Sequence, residues 1–64
     1  MTVEEFYNAC DNAVCKTIFE VWSYFTPLYE DKFDAMPTKI RNLHVAAFYV
    51  KKGRIIVKVR ECIR

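Results

Sequence analysis

Apolar positions in this chain change their spacing twice, and each change predicts an element. Val3, Phe6, Tyr7 and Cys10 recur at i, i+3, i+4 and i+7, one face of a short helix. Thr2 and Glu5 stand where a capping box would start it, and Glu4 and Glu5 fall in the first turn, where the helix dipole favours negative charge. Further on the period is open to two readings. Extended helically, it adds Val14, Ile18, Val21, Trp22 and Phe25 to the same stripe and gives one long N-terminal helix followed by a C-terminal β-hairpin. Against that, Asp11-Asn12 is a turn-forming pair, and Thr17 to Phe25 is dense in β-branched and aromatic residues. The preferred reading is a short helix, a turn over Asn8 to Asn12 and a strand over Val14 to Tyr24.

Thr26-Pro27 interrupts any regular element, because proline lacks a donor and restricts the residue before it. Leu28 to Phe33 reads as a second short strand, with Glu30 and Asp31 guarding its edge. Pro37 at a first helical position predicts a turn or two of helix over Thr38 to Asn42, with Asn42 as the stop. Val45 to Val50 and Ile55 to Val59 then read as a hairpin, joined by Lys51-Lys52-Gly53, whose glycine accepts positive φ. Ile55, Val57 and Val59 alternate with Arg54, Ile56, Lys58 and Arg60, so one face is apolar and the other largely basic. Either Phe48 and Val50, or Val45, Ala47 and Tyr49, share the apolar side, and the pattern leaves that one-residue register open. The expected fold is a single α+β domain over residues 1–64, an N-terminal helix on a small antiparallel sheet in an αββαββ-like order.

Composition supports a packed core: 53% of residues are apolar and 16% aromatic, enough large side chains to offset a chain of 64 residues. The longest apolar run, Val45 to Val50, is far too short to span a bilayer, and the acidic start lacks the apolar stretch of a secretion signal. The expectation is a cytoplasmic protein with no membrane association. Cys10, Cys15 and Cys62 are too few and too oddly spaced for a disulfide framework or a zinc site with His44, so they read as core thiols. Neither a cofactor nor a metal is expected.

Charge changes the picture more. Residues 1–36 hold seven acids against two bases, whereas residues 37–64 hold eight bases against Glu61 alone. An overall charge of +2 conceals this split, which bears on partner choice and self-association rather than on fold. Lys51, Lys52, Arg54, Lys58 and Arg60 form the candidate recognition surface on the hairpin. A basic β-ribbon suits a host protein with an acidic surface, and the same residues facing phosphates make a nucleic-acid-binding module the alternative. Trp22, Tyr24 and Phe25 would add an aromatic anchor wherever they are exposed, though Trp22 is expected in the core. Catalysis is not expected: His44 is the only histidine, with no nucleophile in a recognisable pattern, and the acids Glu30, Asp31 and Asp34 have no cation-loop spacing.

The order of Met1-Thr2-Val3-Glu4-Glu5-Phe6, Met36-Pro37, Val45 and Gly53 with Ile55 and Val57 resembles small proteins of phages and conjugative elements of gut Firmicutes. The resemblance implies a helix, hairpin, short helix, hairpin order and an accessory or inhibitor role, including that of anti-CRISPR proteins. It rests on apolar and turn positions and assigns no residue a role.

Overall fold

The computed structural model describes residues 1–10 and 17–61. Helix α1 runs Val3–Ala9, and its start is built as the sequence dictates. The Glu5 amide donates to Thr2 Oγ1 at 3.2 Å and the Thr2 amide donates to Glu5 Oε1 at 2.8 Å, which satisfies two amides that no helical carbonyl could reach. Extended backbone at Cys10 ends the helix after seven residues. The single long helix is therefore not formed: the described chain resumes as strand β1, Ile18–Ser23. The expected turn beyond Cys10 and the first residues of the expected strand, together with Cys15 and Cys62, lie outside the described residues.

Strand β2 covers Thr26–Lys32 and is followed by a 3₁₀ turn at Phe33–Ala35. Helix α2 is a single turn, Thr38–Arg41, with Pro37 at its N-cap, one place earlier than expected. Strands β3, Val45–Lys51, and β4, Arg54–Val59, complete a four-stranded sheet ordered β2-β1-β4-β3. The sheet is mixed rather than wholly antiparallel: two of its three strand pairings are antiparallel, as expected, and one is parallel. Both hairpins are antiparallel, but they meet through a parallel pairing of β1 with β4, Val21 opposite Val57. Nothing local in the sequence encodes that junction, because it joins segments more than thirty residues apart.

Burial alternates along β1, so Phe19, Val21 and Ser23 point to one side. There they join Ile55, Val57 and Val59 of β4 beneath Val3, Phe6, Phe33, Met36 and Ile40 from the helical side. Phe19, Val3, Val21 and Val57 are fully enclosed. Aromatic packing fixes α1 to the turn after β2: Tyr7 and Phe33 stack with ring centroids 3.8 Å apart. Arg41 locks the other side of that turn. Its Nε donates to the Met36 carbonyl at 2.9 Å, a terminal nitrogen reaches the Phe33 and Asp34 carbonyls, and its guanidinium lies 4.4 Å over the Phe33 ring. The register left open by the pattern is settled by Phe48, whose ring is 4.6 Å from Phe6 on the helical side. Tyr49 therefore belongs to the opposite face.

Among the described residues, helices cover one face of the sheet, and no helix is long and apolar enough to cross a membrane.

Candidate binding face

The uncovered face of the sheet is built by the alternate residues of each strand. Glu20 and Trp22 come from β1, Ile56 and Lys58 from β4, and Ala47 and Tyr49 from β3, with Glu30 of β2 opposite Glu20. Ile56 is buried at 5% exposure yet stands outside the main core cluster. It is enclosed on this face beside Glu20, Trp22, Tyr49, Lys51, Lys52 and Arg54, which line a shallow concavity. Trp22 is half-buried here rather than central to the core, a correction to its expected place. Its indole nitrogen donates to Glu20 Oε1 at 3.1 Å.

The five expected recognition residues do not form one patch. Lys51, Lys52 and Arg54 sit at the hairpin tip, around that concavity. Lys58 and Arg60 lie at the other end of β4, against Tyr24, Phe25, Ala46 and Ala47. Arg54 and Lys58 are separated along the strand by roughly 13 Å. Lys51, Lys52, Lys58 and Arg60 are exposed. Arg54 is not a free cation: it donates to Glu20 at 3.0 Å and also pairs with Glu30. This fits the local charge pattern, because Glu20 and Glu30 are cross-strand neighbours and would repel without a shared cation. The Arg54 hydrogen bond, then that of Trp22, holds the Glu20 carboxyl below the usual range, and Glu20 foremost raises the Arg54 guanidinium above its own.

At the opposite end, the two-residue connection Tyr24–Phe25 joins β1 to β2. Tyr24 takes φ of 56°, a left-handed conformation that aromatic residues rarely adopt. The turn leaves Tyr24 61% and Phe25 93% exposed, beside Lys58 and Arg60. The sequence allows an aromatic anchor here but carries no turn signal that places it at a hairpin tip, since Ser23 to Pro27 lacks the Gly and Asn that mark such turns.

His44 is occupied by Glu61. The carboxylate accepts the His44 amide at 2.9 Å and lies 2.6 Å from Nδ1, and these bonds depress the Glu61 pKa, the ring contact foremost. Ser23 Oγ donates to the Glu61 carbonyl at 2.6 Å, so this cluster ties the end of β4 to the starts of β3 and the β1–β2 turn. Its visible work is structural. Cys10 is a half-buried free thiol whose Sγ donates to the Phe6 carbonyl. Compared with known proteins, the chain matches no family model, no curated protein and no solved structure.

Proposed function

We propose that this chain is a non-catalytic protein-binding module whose open sheet face and hairpin tips dock on an acidic partner. One observation carries the reading: exposed cations stand beside exposed aromatic rings, Lys58 and Arg60 with Phe25 and Tyr24, and Lys51 and Lys52 with Tyr49. Interface hot spots combine these chemistries, with a large ring to desolvate and a charge to set register and partner choice. Phe25 serves as the apolar anchor. Lys58 and Arg60 steer a carboxylate-rich surface towards it, while Lys51 and Lys52 supply a second contact. Arg54 acts as the internal strut that keeps the face in shape.

A nucleic-acid partner using the same bases is the second reading. The face disfavours it at one point: Glu20 on β1 and Glu30 on edge strand β2 set two carboxylates beside the basic strands, on the side from which a phosphate backbone would be repelled. An αββαββ order and an accessory or inhibitor role of the kind carried by phages and conjugative elements, anti-CRISPR proteins among them, agree with the sequence pattern. They suit a small binder acting in the host cytoplasm.

The test is capture from host lysate by wild type, Phe25→Ser and Lys58→Glu/Arg60→Glu proteins, beside a salt-dependent gel shift with generic DNA and RNA. A partner protein retained by wild type and lost by both variants, without a gel shift, agrees with the proposal. A nucleic-acid shift that collapses with salt, or equal recovery by all three proteins, rejects it.

A further inference from the structure

The two edges of the sheet are finished differently. Edge strand β2 carries Pro27, Glu30, Asp31 and Lys32, the devices by which natural sheets repel a further strand. Edge strand β3 carries Ala46, Ala47, Phe48, Tyr49 and Val50, with no proline and no charge before Lys51. Every residue from Ala46 to Lys51 is exposed, and Phe48, Tyr49 and Val50 remain 56%, 45% and 68% exposed in succession. The register of β3 shifts between Val45 and Ala47, but from Ala47 onward it is a regular strand left apolar and open on both faces, a template for pairing with another chain.

We propose that the free edge of β3 pairs antiparallel with the same edge of a second copy of this chain, about a two-fold axis through Tyr49. The hairpin geometry selects this register. Lys51 and Arg54 close a two-residue turn in which Lys52 and Gly53 both have positive φ, 53° and 75°. In such a hairpin the closing pair exchanges backbone hydrogen bonds, so Lys51 and Tyr49 turn their amides and carbonyls to β4, and Phe48 and Val50 turn theirs to the free edge. The start of the same edge is already filled: Val45 donates to the Met1 carbonyl at 2.8 Å, and Val3 donates to the Leu43 carbonyl at 2.8 Å. Among the described residues the unpaired length therefore runs from Ala46 to Lys51, of which the five positions from Ala47 to Lys51 follow the register shift and can form the seam. With Tyr49 on the axis, Phe48 of each copy meets Val50 of the other, and the second hairpin's turn falls where the Met1–Val3 segment takes over.

The side chains agree with that pairing. Two Phe48–Val50 contacts form on the helical side, and the two Tyr49 rings meet on the open side, where each Lys51 faces an Ala47. Antiparallel pairing keeps the two Lys51 ammonium groups roughly 14 Å apart, beyond the ~8 Å over which exposed charges interact at physiological ionic strength. A parallel pair would place them side by side. The stretch from Ala46 to Val50 offers an acidic strand no charge to meet, which favours a second copy. Five positions make a seam under the ~1,200 Å² of a standard interface, so the dimer is weak and concentration-dependent. Both copies carry +2, so added salt leaves the dimer intact or strengthens it, the reverse of binding to an acidic partner. This inference stands independently of the proposed partner, because it is tested on the protein alone.

Sedimentation equilibrium over a range of concentrations reads the association of the full chain, with circular dichroism confirming that each variant is folded. Wild type is expected to pass from monomer to dimer. Tyr49→Lys and Tyr49→Glu, each placing like charges on the axis, are expected to associate at least about tenfold more weakly, and a 1:1 mixture of the two to recover dimer. Because Tyr49 also packs beside Ile56, Val50→Lys at its exposed position provides a second variant, expected to weaken the dimer without lowering the melting temperature. A wild type that stays monomeric overturns the proposal. So does undiminished association in the folded variants, or a mixture no tighter than either variant alone.

Discussion

Three residues in this chain hold positions that a neighbouring sequence rule would not choose for them. Tyr24 and Lys52 adopt left-handed backbone that asparagine or glycine enters at far lower cost. Replacing either by asparagine removes part of that strain, so Tyr24→Asn and Lys52→Asn are each expected to stabilise the fold by about 1 kcal/mol in denaturant titration. The same changes remove a ring or a charge from the proposed binding surface and are expected to weaken partner capture. Arg54 is the third. It reads in the sequence as one more base in a basic hairpin, and only the pairing of β1 with β2 and β4 reveals the two carboxylates that claim it. Arg54→Met is therefore expected to lower the melting temperature at neutral pH. The pH dependence follows from the depressed carboxyl of Glu20: its contribution is fully present above the unfolded value of 4.5 and is lost as pH falls through the lower folded value. The difference between wild type and Arg54→Met should accordingly shrink on acidification below that point. A gap in melting temperature that stays constant from neutral to acid pH would contradict the strut.

At the scale of elements, what the sequence makes legible is what local chemistry decides. Thr2 with Glu5 marks the start of α1, Lys52-Gly53 marks the second turn, and the alternation of Ile55, Val57 and Val59 marks the inner face of β4. Thr2→Ala is expected to cost about 1 kcal/mol through loss of the cap. Tertiary contacts decide the rest. The same apolar residues, Ile18 to Trp22, satisfy a helical or a strand period, and it is the parallel pairing with β4 that makes them β1. The one-residue register of β3 depends on Phe48 meeting Phe6, a contact between residues about forty positions apart. Burial separates the two faces of β1 sharply: Phe19 is fully enclosed and Phe19→Ala is expected to cost about 3–5 kcal/mol, while Trp22 on the open face is packed far less completely. A loss of that size is comparable with the whole stability of a domain this short, so the variant should be unfolded or nearly so by circular dichroism.

The whole molecule is one α+β layer pair with helices on one side of a mixed sheet and a charged, aromatic face on the other. The split in sequence charge maps on to it unevenly. Acidic residues collect on β2 and in the turn after it, and apart from Lys32 and Lys39 the exposed bases collect on or next to β3 and β4, so the sheet runs from an acidic edge to a basic one. Part of the basic segment 37–64 is internal machinery, because Arg41 holds the turn at Phe33 and Arg54 bridges two acids. Among the described residues of that segment, this leaves exposed Lys39 on α2 and, on the sheet, Lys51, Lys52, Lys58 and Arg60, which stand at two ends of one strand pair rather than on a continuous platform. The sequence shows how many bases there are, but a free lysine and a structural arginine look alike until their partners across the sheet are known. The central claim is that these outward bases, set beside Phe25 and Tyr49, recognise an acidic protein. Its most direct test is isothermal titration of the captured partner with wild type and with Lys58→Glu/Arg60→Glu protein at low and physiological salt. Affinity that falls at least about tenfold on charge reversal, and that weakens with salt only for wild type, is the predicted result. Equal affinity of the two proteins at both salt concentrations would contradict it.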